Sequence, residues 1–349
     1  MILDDSLKNK LLNFLDEKEI KIEKNFDLRK KSWLKAGGVV KNYIEPSNYE
    51  QIIQLVKFFK ENNLDYFVVG NLSNIIFRDG KIVTPIINIK NYNDLTLVED
   101  SDKFIVNASC GISIFKFITY VSQKLKISGL EGLVGIPGSL GGGIYMNASS
   151  YESYISEYLK EIKYVNFECQ EITIKKEDAK LEWRSSIFHN YKNIIILNAL
   201  FEFPKNNLTE IDIINKNIEK VKRHRITFQE KKFPNLGSLF ATKDLYKDIS
   251  SSRFLFKVLY FLNIIITKLI RKFLNENYLI KYRKFIVGIY SLILGINKHS
   301  SFKLSDRTIN CLINNDSTNA NEAIKIIRNY QKKIKYSQKL ENIILEDIL

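Results

Sequence analysis

The chain is 349 residues long, 45% hydrophobic and 26% charged, with a formal net charge of +14 and a pI near 9.3. That length predicts two or three domains with real cores. The charge does not predict a nucleic-acid-binding protein, because the lysines are spread rather than striped and no nucleic-acid motif occurs; it suits an anionic small substrate or a membrane surface.

Cys110, Cys169 and Cys311 are far apart and odd in number, which predicts no disulfide or zinc site and a reducing cytoplasm. They read as small buried apolar residues. His189, His224 and His299 are equally scattered, and no metal site is expected. Met1 to Asp5 opens on acid rather than on a basic, apolar leader, so no signal peptide is expected.

Residues 5 to 19 predict an amphipathic helix, with Leu7, Leu11, Leu12 and Leu15 on one face. Ser32 to Gly38 reads as a turn into a strand at Val39 to Ile44, and a helix follows from Tyr49 to Asn62. Tyr66 to Val69 is a buried strand entering Gly70-Asn71-Leu72-Ser73-Asn74, with another at Ile75 to Phe77. Strand–turn–strand is not the strand–loop–helix order of a Rossmann unit. Lys103 to Ala108 predicts a strand and Ile114 to Leu125 a helix.

The next stretch, from Gly129 to Gly143, holds seven of the fifteen glycines in the chain. Glycine permits positive φ and close approach of another molecule to the backbone. The plain reading is a complicated turn; the favoured one is a cradle of main-chain N–H groups for a cofactor pyrophosphate.

Strands are predicted near 161–167, 171–175 and 194–200, a linker at Pro204 to Asn207, and a helix from Thr209 to His224. The block 254–296 contains two apolar runs. Neither has the roughly 20 uninterrupted residues that would cross a bilayer, so a packed helical hairpin is predicted. Contact with a protein partner or a membrane surface is the less favoured reading. A helix from Asn321 to Lys335 closes the series, packed on a strand at Cys311 to Ile313.

Several motifs, taken together and in order, resemble the UDP-N-acetylenolpyruvoylglucosamine reductase family of peptidoglycan precursor synthesis. They are Gly37-Gly38 with Glu45-Pro46; Gly70, Ser73-Asn74 and Asp79-Gly80; Gly129-Leu130-Glu131, Gly135-Ile136-Pro137-Gly138-Ser139, Gly141-Gly142 and Met146-Asn147-Ala148; Trp183-Arg184-Ser185-Ser186; Gln229 and Gly237-Ser238-x-Phe240; and Ser305 and Asn314. The resemblance spans most of the chain outside 254–296.

It implies an α+β protein: an N-terminal helical segment (1–30), a vanillyl-alcohol-oxidase-type FAD-binding domain of two lobes (31–203), and a smaller α+β substrate domain (204–349) carrying the apolar helical insertion. It further implies FAD as cofactor, NADPH as reductant, an enolpyruvyl nucleotide sugar as substrate and a cytoplasmic location. By resemblance, Gly70, Asn71, Leu72, Ser73, Asn74, Gly135, Ile136, Pro137, Gly138, Ser139, Gly141, Gly142 and Asn147 bind FAD. Arg225, Gln229, Gly237 and Thr242 bind substrate. Arg184 polarises the substrate carboxylate and Ser238 delivers a proton.

The chain departs from the family at three places. Asn71-Leu72 replaces two glycines, and a leucine does not enter the left-handed region cheaply. Ala241-Thr242-Lys243 replaces Lys-Asn-Pro, removing a substrate contact. The closest match to the family's C-terminal catalytic glutamate falls on Ile343, so Glu341 or Glu346 fills the role only if the register shifts. A diverged, inactive homologue, acting on another nucleotide sugar or binding a partner or membrane surface, is the alternative.

Overall fold

The computed structural model describes residues 5–252, 254–296, 300–335 and 338–345; His299 and Glu346 lie outside them. The chain enters through α1 (Asp5–Glu17), which buries Leu11 and Leu15. Residues 21–27 then correct the expectation of a purely helical leader: β1 (Lys21–Asp27) pairs antiparallel with β2 (Val39–Glu45), and α2 (Leu28–Lys31) lies between them. Only Phe26 of β1 is buried, stacked on Tyr43 of β2. A strand with one inward residue carries no period-two signal.

The Asn48 side chain accepts the Gln51 N–H and starts α3 (Tyr49–Glu61), which buries Ile52, Leu55, Val56, Phe58 and Phe59 on one face. Four short strands follow: β3 (Phe67–Val69), β4 (Ile75–Phe77), β5 (Lys81–Ile82) and β6 (Ile86–Asn88). The first sheet runs β1-β2-β6-β3, with β5 against β2, and is parallel beyond β1.

The second sheet is antiparallel. β7 (Leu95–Glu99) and β8 (Lys103–Ser109) lead to α4 (Ile114–Thr119), which widens into a π-helical turn at Tyr120–Lys124. The glycine stretch then delivers α5 (Leu140–Tyr145) and the hairpin β9 (Ser149–Ser150) and β10 (Ser153–Tyr154). β11 (Leu159–Val165), β12 (Glu171–Lys175) and β13 (Ile195–Pro204) complete the order β12-β11-β13-β8-β7.

Pro204 ends a strand rather than opening a linker, and α6 (Ile211–Phe228) folds back on the first half of the chain. Gln123 donates to Asn215 at 3.0 Å, and Arg225 donates to the Gly132 carbonyl at 2.9 Å. The chain thus crosses to its second core after α6 and not at residue 204. That core is built by α7 (Leu245–Ser250), α8 (Phe254–Phe273), α9 (Glu276–Leu294), the hairpin β14 (Phe302–Ser305) and β15 (Thr308–Asn314), and α10 (Ala320–Lys333).

The predicted hairpin at 254–296 exists, but it is packed along only one of its arms. α9 buries Leu279, Ile286, Val287, Tyr290 and Leu294, and ends on left-handed Gly295. α8 buries only Phe256 and Ile270. Among the described residues no helix is long and apolar enough to cross a membrane.

Long-range ties join the halves. The Asp79 carboxylate accepts the N–H groups of Ala320 and Asn321, at 2.9 and 2.8 Å, and caps α10. Finally β16 (Ile343–Leu345) returns to pair in parallel with β4.

Candidate active site

A cavity of about 2030 Å³ lies between the two halves. Its walls come from the 70–74 loop, the 135–143 stretch, Arg184, Arg225, the 233–238 turn, the inner face of α8 and the segment ending in β16.

Two loops meet at the floor. A Cβ on Gly70 would sit 2.1 Å from Ser139 Oγ, so the contact between them requires a glycine. Leu72 adopts φ +53° and lines the cavity, yet its side chain is only 4% exposed and packs with Phe26, Leu28 and Val69. Burial of the leucine holds the left-handed residue in place, and its side chain is directed into the core.

Accounting for the main-chain N–H groups sorts the glycine stretch. Gly141 N–H donates to the Cys110 carbonyl at 2.8 Å, Gly143 N–H to the Ser139 carbonyl at 2.8 Å, and Gly142 N–H to Ser139 Oγ at 3.2 Å. A Cβ on Gly141 would lie 3.1 Å from the Cys110 carbonyl, and one on Gly132 would lie 2.3 Å from the Ser150 carbonyl. Those glycines serve close packing, which corrects the expectation that Gly141 and Gly142 offer amides. Among the described residues, the N–H groups of Gly135, Gly138 and Ser139, with those of Asn71, Leu72, Ser73 and Asn74, have no protein acceptor. All seven residues line the cavity, with Ile136 and Pro137 beside them. Buried or half-buried amides without acceptors are costly unless a ligand takes them.

Asn147 is the exception among the residues expected at the cofactor. It does not line the cavity; its side chain donates to the Glu182 carbonyl at 2.9 Å and accepts from Ser156 at 2.9 Å. It is a buried strut. Ser305 and Asn314 are structural too: Ser305 donates to Glu230 at 2.8 Å, and Asn314 donates to the Leu34 carbonyl at 2.8 Å.

Arg184 and Glu341 face each other across the cavity wall, with Nε and Oε1 2.7 Å apart. Arg184 sits at φ +52° and also donates to Ser149 Oγ and the Ser149 carbonyl, both at 3.0 Å. The Trp183 ring stacks on its guanidinium at 4.7 Å and carries Lys243 at 5.5 Å. Lys243 thereby brings a cation into the cleft where the Lys-Asn-Pro departure had removed one. Burial pushes the Glu341 carboxyl above its ordinary range, although the Arg184 charge pulls the other way.

Ile343 belongs to β16, and Glu341 lines the cavity beside Arg184, as do Asp65, Glu230 and Asp244 elsewhere in its wall. The placement is fixed by hydrogen bonds. Asn74 Nδ2 donates to the Glu341 carbonyl at 2.9 Å, and Asn342 Nδ2 donates to Asn74 Oδ1 at 2.7 Å and toward the Leu236 carbonyl at 3.3 Å.

Ser238 lines the cavity, its hydroxyl without a hydrogen bond among the described residues, one residue after Gly237, which holds φ +74°. Thr242 also lines it but donates to the Asp248 carboxylate. Arg225 is buried, donates to Gly132 and Ser150, and accepts no counter-charge; its Nη1 donates to Gln229 Oε1 at 3.1 Å. Burial lowers the Arg225 pKa, so an anion in the cavity relieves the cost of its charge.

Three residues that the motifs did not indicate complete the wall: Arg271 of α8, Arg283 of α9 and Arg307 between β14 and β15. Burial and then the neighbouring Arg271 and Arg307 charges lower the Arg283 pKa, although Tyr246 opposes them. Arg283 lies 4.4 Å over the Phe228 ring, and Arg307 donates to the Thr227 carbonyl at 2.9 Å. Among the described residues none of the three pairs with a carboxylate. Among the same residues no His, Cys, Asp and Glu cluster is fit to hold a metal.

Residues 40–171 match the FAD-binding domain family. The segment contains both loops of unclaimed amides, and the class is therefore that of FAD-binding α+β proteins. Over 247 residues, 70% of this chain and 76% of the relative, the sequence is 30% identical to the UDP-N-acetylenolpyruvoylglucosamine reductase of Clostridium novyi. It is 33% identical over 217 residues to that of Aquifex aeolicus, covering 62% of this chain and 70% of the other. The fold is similar to the crystal structure of UDP-N-acetylenolpyruvylglucosamine reductase from Thermus caldophilus, with a TM-score of 0.62 over 93% of this chain and 99% of that one, at 16% identity. The chain belongs to the UDP-N-acetylenolpyruvoylglucosamine reductase family. An FAD diphosphate fits this floor, where seven residues whose N–H groups have no acceptor among the described residues line one cavity from two touching loops.

Proposed function

We propose that the protein is an FAD-dependent reductase that takes electrons from NADPH and reduces the enolpyruvyl ether of a UDP-N-acetylglucosamine derivative, giving UDP-N-acetylmuramate. The observation that carries this reading is the convergence of Arg184, Glu341 and Ser238 on the cavity whose floor holds the unclaimed amides. When bound, FAD supplies hydride chemistry at the enolpyruvyl double bond.

The residues of this chain do the rest. Gly135, Gly138 and Ser139, with the 71–74 loop, hold the cofactor diphosphate through N–H donors. Arg184 binds the substrate carboxylate and stabilises the negative charge that develops beside it. A second carboxylate at that guanidinium competes with Glu341 for the same positive charge. Its arrival drives the already raised Glu341 pKa further up. In this reading Glu341, raised by burial and relieved of part of its Arg184 pairing, is the carboxyl placed to hold a proton beside the seated substrate. Ser238 Oγ passes a proton to the carbon next to the reduced centre, and Glu341 replaces it. Arg271, Arg283 and Arg307 bind the substrate diphosphate, which brings them the negative charge that no carboxylate among the described residues supplies.

The purified protein should show a bound-flavin absorbance and consume NADPH only when the enolpyruvyl nucleotide sugar is added. Ser238→Ala should lower kcat by roughly 10²-fold or more while leaving the flavin spectrum intact. A colourless protein that takes up no FAD would remove the whole reading. Unchanged turnover in Ser238→Ala would remove only the proton donor.

A further inference from the structure

α8 has three faces, and one of them has no partner among the described residues. Phe256 and Ile270 are buried against the second core. Asn263, Thr267 and Arg271 line the cavity. Outward stand Phe254, Val258, Phe261, Ile265, Leu269 and Phe273, at 82, 38, 63, 39, 51 and 67% exposure. Their spacing of three or four makes a single ridge, and Leu262 and Ile266, also exposed, widen it to an arc of about 140°. A contiguous exposed stripe of this kind marks an interaction site rather than ordinary surface scatter.

Charge identifies the occupant. The hairpin from 254 to 296 has one acid, Glu276; of its cations, Lys257, Lys272 and Lys281 lie outside the cavity lining and have no ion pair among the described residues, while Lys268 stands between the ridge and the cavity. Lys257 and Lys268 border the ridge and Lys272 stands at its C-terminal end, all exposed. Two copies meeting through this face would bring like-charged rims together. An anionic bilayer surface accepts the apolar ridge and neutralises the rim at once. The 20 residues of α8 are about 30 Å long, yet the helix cannot span: its other faces are committed to the core and the cavity.

We propose that α8 docks the protein flat on an anionic lipid surface, its apolar ridge in the headgroup–acyl boundary and its lysines against lipid phosphates. The proposal stands apart from the reductase reading, because the apolar ridge and the four side chains its test replaces lie outside the cavity lining.

The test is flotation of the full-length, FAD-loaded protein with vesicles of phosphatidylglycerol and phosphatidylcholine, and with phosphatidylcholine alone. The protein should float with the anionic vesicles, and less as salt is raised. The double variant Phe261→Asp/Ile265→Asp should lose at least tenfold in partitioning, and Lys257→Glu/Lys272→Glu should lose most of the preference for anionic lipid. All four side chains are solvent-exposed, and an unchanged melting temperature identifies a folded variant. Sedimentation of the wild type should give a monomer at micromolar concentration. Three results would overturn the proposal: no flotation, equal flotation of the aspartate variant, or a wild-type dimer that the aspartates convert to monomer.

Discussion

In the proposed reaction Glu341 resupplies the proton, and its environment gives that role a pH signature. A carboxyl whose pKa is raised by burial stays protonated to higher pH than a free glutamate. As a proton source it is competent below that raised value and is lost as pH climbs through it. Turnover should therefore fall on the alkaline side. Glu341→Gln should lower kcat by about 10²- to 10³-fold and flatten that limb; a variant with the wild-type pH profile would show that another group titrates. Leu72 poses a different question at the same scale. Replacing it with glycine relieves a left-handed penalty of about 1–2 kcal/mol but empties a buried leucine site worth about 3–5 kcal/mol. Burial outweighs strain, so Leu72→Gly should lower stability by about 1–4 kcal/mol in denaturant titration. A more stable variant would mean that the side chain is not packed as described.

Among the elements, the two glycine-bearing loops differ in what they ask of glycine. An added Cβ on Gly70 would lie 2.1 Å from Ser139 Oγ, whereas one on Gly237 would have no heavy atom within 4 Å. Gly70→Ala should therefore separate the loops and abolish flavin retention on gel filtration. Gly237→Ala should cost only about 1 kcal/mol from its positive φ and keep the flavin. Equal behaviour of the two variants would show that the 70–74 and 135–143 loops do not form one floor. Much of this scale was legible in the sequence. Tyr49–Glu61 and Ala320–Lys333 declare themselves by apolar spacing and asparagine caps. The concentration of glycine marked the floor, although it could not separate Gly135 and Gly138, which leave amides free, from Gly141 and Gly143, which pack. β1 was missed because an edge strand that buries Phe26 alone has no alternation to read.

Across the whole molecule, the site exists only because distant segments are clasped together. Asn342 reaches both Asn74 and the Leu236 carbonyl, linking the 70–74 loop, the 233–238 turn and the β16 segment. Asn342→Ala should weaken flavin binding by roughly tenfold and substrate binding together with it, since one or two buried hydrogen bonds are worth about 1–3 kcal/mol. Flavin titration followed by steady-state kinetics measures both, and a loss confined to one ligand would contradict the clasp. Convergence of this kind is what the sequence hid. Arg271, Arg283 and Arg307 come from two helices and a hairpin turn, and no local pattern announces that they share a wall. Glu341 was obscured because the register of β16 is set by β4 and by Asn74, not by its own neighbours.

Asn74 and Glu341 are separated by 267 positions, and that interval has a kinetic consequence. During synthesis the two sheets and the amide floor can assemble while the ribosome is still elongating, whereas Glu341 arrives well over a hundred residues after β13 ends at Pro204. A nascent chain arrested shortly after α10 should already retain yellow pigment in some measure while lacking turnover. Colour and catalysis would then be acquired at two separate moments in the birth of the molecule.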